Sequence, residues 1–427
     1  MEDVFDAVVV GAGLAGSTAA YCMAGAGLNV LVIERGSFPG AKNATGGRLY
    51  AHSLEKVIPG FAKEAPVQRS ITRETLTFLT ERSAISLDVA SDRLLEFPSY
   101  TVLRPEFDAW LAGKAEAAGA TVVPGIRVDE PVLRDGKVVG VRCGEDTMEA
   151  NVVIAADGVN SLTAQRAGLR QDLDSSEVAT GVKCVIELSK KAIEERFNIN
   201  ENSGVARMFV GECTKGLPGG GFLYTNIDTV SLGLVVTSAD LATSPYSLVE
   251  LFEDFRQHPQ LKALLDDGKV VEYSAHLVPE GGLKMIGTAV ADGLVVVGDA
   301  AGLVLNTGYS VRGMDFAIAS GEAAANAVIR ASKTGDFTSS GLSRYVDNLK
   351  RSFVMKDLET FRRAPSLLRN RRIYEEYPEL IEEMMMGLFG VDGSPRTPMR
   401  KIVTSTVKRH GGPVQMGKDL LQGVTSI

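Results

Sequence analysis

The chain has 427 residues, 45% of them hydrophobic and 23% charged, with a net charge of −8. That is enough for two or three domains of an ordinary soluble protein, and it lacks the basic charge of a nucleic-acid binder. The four cysteines, Cys22, Cys143, Cys184 and Cys213, show no Cys-x-x-Cys spacing, which argues against a zinc knuckle or an iron–sulfur ligand loop and fits a reducing cytosol.

Acidic residues lead straight into the first strand without a basic region or cleavage site, so no targeting segment is expected. The apolar run Asp6 to Val10 enters Gly11-Ala12-Gly13-Leu14-Ala15-Gly16, and Ser17 to Ala26 reads as a small-residue helix. Gly11 allows a tight turn, Gly13 lets backbone amides approach a pyrophosphate, and Gly16 lets helix and strand pack closely. The helix N-terminus supplies unpaired N–H groups for phosphates. A second strand, Asn29 to Ile33, ends on Glu34, where a carboxylate is expected to hold the adenosine ribose.

A long glycine-rich loop follows, Gly36 to Arg48, of a length that is usually functional inside a domain. Helical spacing resumes over Ala51 to Val57. Ile71 to Leu79 and Ser83 to Val89 read as an antiparallel pair, and Arg104-Pro105 opens a helix. Short strands with a tight turn at Asp135-Gly136 occupy Thr121 to Asp146. Asn151 to Ala156 is a buried parallel strand that ends in Asp157-Gly158, with Asn160 or Ser161 available to cap the next helix.

Between about 176 and 285 the pattern changes to strands at Val182 to Leu188, Ala206 to Val210, Gly221 to Thr225 and Val230 to Val236, with a helix near Leu248 to Phe255. This predicts an antiparallel sheet inserted into the nucleotide domain. The chain returns with the strand Leu294 to Val297 and the turn Gly298-Asp299-Ala300-Ala301-Gly302, then a long helix over Gly313 to Ser332. From Gly341 onward the chain is helical and carries 15 Lys+Arg against 10 Asp+Glu, on an otherwise acidic body. Such a balance marks either a solvated face or a surface for an anionic partner or membrane. The apolar runs are too short to span a bilayer. The four histidines have no metal spacing, and no Gly-x-Ser-x-Gly turn is present.

Three strand ends therefore carry glycine or aspartate: Gly11 to Gly16, Asp157-Gly158 and Gly298 to Gly302. Open α/β sheets bind ligands at such ends. One FAD accounts for all three, since its diphosphate needs backbone donors, its ribityl chain a carboxylate and its ring a close backbone approach. Asp157 reads either as an FAD contact or as a cap for the following turn. Arg104 reads either as a diphosphate ligand or as the partner of Glu106 and Asp108. Phe222 and Tyr224 are either core aromatics or substrate contacts.

The combination resembles the FAD family of aromatic hydroxylases, geranylgeranyl reductases and electron-transfer-flavoprotein:quinone oxidoreductases. Within it, Gly40 to Tyr50, Gly219 to Tyr224, Asn306 to Asp315, Val391 to Ser394 and Pro398 to Lys401 are similar to the FixC-type flavin–quinone subunits, in order along nearly the whole chain. The resemblance implies an α/β fold with a discontinuous Rossmann-like FAD-binding domain (1–70, 101–175 and 286–340). It also implies an inserted antiparallel-sheet domain for quinone or substrate (71–100 and 176–285) and a helical C-terminal docking region (341–427).

FAD contacts implied by the resemblance are Gly11, Gly13, Leu14, Ala15, Gly16, Glu34, Arg35, Lys42, Gly46, Gly47, Arg104, Val128, Asp157, Gly158, Gly298, Asp299, Gly302, Gly308, Tyr309, Ser310 and Val311. The backbone N–H groups of Gly308 to Val311 are expected to face the flavin. Gly220, Phe222 and Tyr224 are expected to meet quinone. The implied activity passes electrons from an electron-transfer flavoprotein to quinone, in a bifurcating complex with a separate ferredoxin, on the cytoplasmic face of a membrane. An isoprenoid reductase or an aromatic hydroxylase is the alternative. Because no cysteine follows Cys213, the iron–sulfur cluster must then sit on another chain, docked by Arg362, Arg363, Arg369, Arg371 and Arg372. The segment Met384 to Phe389 is a further candidate contact with membrane or partner.

Overall fold

The computed structural model describes residues 4–43 and 46–427. Glu2 and Asp3 of the acidic start, and Ala44 and Thr45 of the glycine-rich loop, lie outside the described residues. Near-continuous apolar strands become the centre of the first sheet. Its parallel core runs in the order Leu294–Val296, Asp146–Ala155, Phe5–Val10, Val30–Glu34 and Thr121–Pro124. Sequence-distant strands lie side by side here, so the nucleotide domain is discontinuous, as the sequence pattern predicts. Helices Leu14–Gly25 and Met314–Thr334 cover this sheet and share one core with it.

The second sheet runs Lys269–Pro279, Val178–Glu187, Thr229–Thr237, Gly219–Thr225, Ser203–Gly211, Val67–Leu79, Ser99–Val102 and Gly47–Tyr50. Ala84–Ala90 pairs with Val67–Leu79 as well. Two features depart from the sequence expectation. Ser203–Gly211 and Val67–Leu79 pair in parallel, and Gly47–Tyr50 belongs to this sheet although the sequence groups it with the nucleotide domain. Both follow from long-range pairing, which local periodicity cannot encode.

Period-two alternation divides each strand of this sheet between two environments. On Gly219–Thr225, Leu223 enters a second apolar core with Leu232, Leu234 and Phe255, whereas Gly220, Phe222 and Tyr224 face a cavity between the sheets. Gly233 has no room for a side chain because the Phe222 ring lies across it. Seven short helices between Ser339 and Ser426 complete the chain. Among the described residues no helix is long and apolar enough to cross a membrane.

One buried cation closes the far end of the second sheet. Arg69 sits in an irregularity of strand Val67–Leu79 and is 2% exposed. It donates to the carbonyls of Asn226 (2.6 Å), Asn200 (2.9 Å), Ser203 (3.1 Å) and Ile227 (3.1 Å). Leucine at this position would leave those acceptors buried without a donor, at about 1–3 kcal/mol each before relaxation. The Arg69→Leu variant is expected to lose about 3 kcal/mol of stability, read from denaturant unfolding at pH 7.

Candidate active site

A cavity of about 660 Å³ lies between the two sheets. Its first end is the turn after strand Phe5–Val10. Gly11 has φ +101°, and a Cβ there would sit 2.5 Å from the Ala156 carbonyl. Gly13 is different, because no protein atom lies within 4 Å of an added Cβ. It lines the cavity, so its smallness serves whatever fills the cavity and not the packing of the protein. Glu34 is held at the same end. The N–H groups of Ala12 (2.9 Å) and Gly36 (2.6 Å) donate to its two carboxylate oxygens, fixing the side chain beside the helix N-terminus.

The middle of the cavity is electrostatically uneven. Asp299 is half-buried, and desolvation raises its pKa above the usual carboxylate value, while Arg104, Arg170 and Lys183 act in the opposite sense. Arg170 also clamps the backbone turn by donating to the carbonyl of Ala300 (2.5 Å). Arg104 forms a two-bond fork with Asp108 (2.8 Å each), so the helix-internal pairing considered from sequence is present, and the side chain still lines the cavity. Asp157 accepts from the Thr163 N–H through Oδ2 (2.9 Å), whereas its buried Oδ1 has no partner. Ser161 was one of two residues expected to cap this turn, but its hydroxyl is buried and unpaired, and Asp157 does the capping.

Eight cationic side chains line the cavity, namely Arg35, Lys42, Arg48, Arg104, Arg127, Arg166, Lys183 and Arg369. Among the described residues only four acidic side chains do so: Glu34, Asp157, Glu280 and Asp299. Arg48, Arg104 and Arg127 are paired with Glu74, Asp108 and Asp129, so a smaller positive balance is left in a protein of net charge −8, of the sign that suits an anionic dinucleotide. An unpartnered buried carboxylate oxygen, open space at Gly13 and this excess of cations all fit FAD.

Most residues expected from sequence meet here. The cavity is lined by Gly11, Gly13, Leu14, Ala15, Glu34, Arg35, Lys42, Gly46, Gly47, Arg104, Val128, Asp157, Gly158, Asp299, Gly308, Tyr309 and Val311, and also by Gly220, Phe222 and Tyr224. Gly16, Gly298, Gly302 and Ser310 are not in its wall. The three glycines instead give way to neighbouring atoms: Gly16 to the Gly11 carbonyl, Gly298 to Ala15 and Gly302 to Met285.

The loop before helix Met314–Thr334 is also more self-contained than expected. The Gly308 N–H donates to Asn306 Oδ1 (2.9 Å) and the Ser310 N–H to Thr307 Oγ1 (3.2 Å). Those two donors are engaged within the loop, which leaves the first turn of the helix as the source of unpaired N–H groups.

Three titratable residues in the wall escaped the sequence reading. Lys183 lies between buried Val182 and Cys184 on strand Val178–Glu187, His276 is on strand Lys269–Pro279, and Glu280 follows that strand. A lysine between Val182 and Cys184 was the available signal. Burial, with Lys183, Arg104 and Arg35 nearby, pushes the His276 imidazole down to about 4. Burial pushes the Glu280 carboxyl up to about 7, against the Asn306 Nδ2 hydrogen bond (3.2 Å) and Arg369.

A model for FAD dependent oxidoreductases matches residues 6–96 and 93–327. The ETF-QO/FixC family C-terminal domain matches residues 364–427. The chain belongs to the ETF-QO/FixC family of FAD-dependent oxidoreductases. Its cofactor is FAD.

The "Probable electron transfer flavoprotein-quinone oxidoreductase YdiS" of Escherichia coli K12 is 50% identical over 428 residues, covering 100% of both chains. "Protein FixC" of the same strain is 50% identical over 429 residues, covering 99% of each. Among solved structures, a geranylgeranyl bacteriochlorophyll reductase-like protein from Thermoplasma acidophilum superposes with a TM-score of 0.72 at 22% identity, covering 98% of this chain and 99% of that one. The latter shows the shared fold.

Two of the arginines expected to dock a partner are tied within the chain. Arg371 pairs with Asp240 (3.0 Å), and Arg372 with Glu376 (2.5 Å) and Asp419 (2.9 Å). Arg369 donates to the Ser176 carbonyl (2.7 Å) and lines the cavity. Arg362 and Arg363 remain exposed.

Two outcomes follow for this site. In Glu34→Gln the amide can accept from only one of the Ala12 and Gly36 donors, and its NH₂ faces the other. FAD affinity is expected to fall by roughly one to two decades in a fluorescence titration of apoprotein.

Glu280 gives a stability effect with a defined sign. Between its ordinary value of 4.5 and about 7, the unfolded chain is ionised at this position and the folded chain is not. Stability therefore declines as pH rises through that window. Glu280→Gln is expected to match wild type near pH 4 and to exceed it by on the order of 3 kcal/mol above pH 7, in denaturant unfolding of the apoprotein.

Proposed function

We propose that the chain is the quinone-reducing flavoprotein of an electron-transfer complex. It receives electrons from an electron-transfer flavoprotein and passes them to quinone, beside a separate ferredoxin in a bifurcating assembly. The observation that carries this reading is 50% identity over the full length to YdiS, whose name states electron transfer flavoprotein–quinone oxidoreduction, and to FixC.

FAD supplies the reversible electron-pair chemistry when bound. The protein's part is to hold it. The helix N-terminus at Gly13 and Leu14 offers donors and partial positive charge to the diphosphate. Glu34, already oriented by two backbone donors, accepts from the ribose. Asp299, which lines the same cavity, would accept from the ribityl hydroxyls. Phe222 and Tyr224, with ring centroids 5.2 Å apart and planes inclined by 31°, present an aromatic wall suited to a quinone ring. No side-chain nucleophile is required for electron relay, in keeping with the lack of any triad motif in the sequence.

The C-terminal region bears the partner and membrane assignments. The four cysteines are scattered over the chain, and on the FixC likeness the ferredoxin is assigned to another polypeptide. Phe389 is 76% exposed, Met386 is exposed on the same helix, and Leu420, Leu421 and Val424 are exposed on helix Gly412–Ser426. This apolar surface is assigned to a membrane, and exposed Arg362 and Arg363 to the acidic ferredoxin.

The test is stopped-flow reoxidation of the prereduced flavoprotein by a soluble quinone analogue, with wild type and Phe389→Glu also assayed on quinone-loaded anionic vesicles. Quinone is expected to reoxidise the flavin of both proteins in solution, and only wild type is expected to work on vesicles. The purified chain is expected to contain flavin without iron. Rapid reduction by NAD(P)H together with inertness toward quinone would replace this reading with an isoprenoid reductase or hydroxylase.

A further inference from the structure

The least explained group in the cavity is the ammonium of Lys183. It projects from the cavity face of strand Val178–Glu187, while its neighbours Val182 and Cys184 point into the second apolar core. Its Nζ donates to the Gly46 carbonyl (3.3 Å) and lies 5.2 Å from the centroid of the Phe222 ring. Among the described residues no carboxylate comes within ion-pair distance of it. A neutral carbonyl and a ring face compensate a half-buried cation only in part, so the site is built for additional negative charge.

The surroundings indicate which part of FAD supplies that charge. The diphosphate is provided for at the helix N-terminus near Gly13, and the ribose by Glu34. Lys183 instead stands at the aromatic wall. There Gly46 is pressed against Ser231, and Gly47 lies 3.1 Å (from an added Cβ) from Met314 Sδ. Two glycines and the Phe222 ring leave a slot suited to a planar group. Uptake of an electron pair and one proton leaves the flavin ring of FAD with a net negative charge near neutral pH, which a fixed cation favours over the neutral oxidised ring.

We propose that the Lys183 ammonium is the electrostatic partner of the flavin ring in this cavity and raises its reduction potential by stabilising the reduced, anionic form. Lys183 is thus a redox-tuning residue of the FAD site, whichever partner delivers or removes the electrons.

The groups facing Lys183 are Arg104 from helix Arg104–Ala117, Asp299 from the turn after strand Leu294–Val296, and Glu272 and His276 from strand Lys269–Pro279. Burial, then Arg104, pushes the ammonium down to about 8 against Asp299 and Glu272. Above that pH the oxidised protein loses the cation and must regain a proton on reduction, so the potential should fall more steeply with pH.

The test is spectroelectrochemical titration of the FAD-loaded protein, with Lys183→Met and Lys183→Arg alongside wild type. Lys183→Met is expected to lose at least tenfold in its preference for reduced over oxidised FAD, which is about 30 mV for a two-electron couple. Lys183→Arg keeps the charge and is expected to stay near wild type at pH 7, without the steepening above pH 8. If Lys183 served the diphosphate or the packing alone, Met would weaken oxidised and reduced FAD equally or lower the melting point. The potential would then be unchanged, and the proposal would fall. Should Lys183→Met fail to retain FAD, the pH series decides: steepening in wild type but not in Lys183→Arg supports the assignment, and the same slope in both overturns it.

Discussion

The structure depends on a backbone contact in which no side chain fits. At Gly16 a Cβ would overlap the carbonyl of Gly11, and at Gly321 it would overlap the carbonyl of Ala15. The first contact sets how closely the helix beginning at Leu14 follows its strand. The second sets how closely helix Met314–Thr334 crosses that helix. Together they bring the ends of strands Phe5–Val10, Asp146–Ala155 and Leu294–Val296 to one edge, so that Gly13, Asp157 and Asp299 line one cavity. A methyl group at either glycine would push helix and sheet apart and would be felt along the whole site, because close-packed interiors transmit such shifts.

The cavity formed there runs against the charge of the rest of the molecule. The three cations that act on Asp299 are held differently. Arg104 is fixed in a fork with Asp108, Arg170 by backbone carbonyls, and Lys183 by one carbonyl and a ring face. Arg104 therefore arrives largely neutralised by its partner, whereas Lys183 keeps most of its field for a ligand. Low dielectric strengthens that field, which is why one unpaired cation can outweigh a larger number of paired ones.

Those differences mark what could be seen in the sequence. The parallel strands of the first sheet were visible because both of their faces are buried and their apolar runs are unbroken. Glu34 and Asp299 were visible because a strand and a glycine turn precede or follow them at fixed spacing. Lys183, His276 and Glu280 were not, since each is a lone polar residue in a strand region whose facing surface was unknown. Arg69 was hidden for a related reason: its acceptors are carbonyls from segments more than a hundred residues away, and carbonyls leave no trace in a sequence. The inserted sheet was legible strand by strand, but the parallel pairing of Ser203–Gly211 with Val67–Leu79 was not, because register is decided by tertiary contacts.

The C-terminal region reaches into the interior of the molecule. Leu368, Arg369, Ile373, Tyr374 and Ile427 reach the cavity wall, and all five belong to the segment that matches the family's own C-terminal domain. Tyr374 donates to the Leu368 carbonyl (2.7 Å), and Arg371 reaches across to Asp240 beside the inserted sheet. An added Cβ at Gly308 would lie 3.0 Å from Leu368, so the loop before the long helix also rests on this region. The segment that carries Phe389 and Val424 on its surface thus supplies one wall of the redox cavity. A partner or membrane that displaced these short helices would alter the wall around Glu280 and Asn306 without passing through the rigid parallel sheet. Short helices joined by ion pairs yield more readily than a close-packed sheet, so this wall of the cavity is more deformable than the one built by the parallel strands.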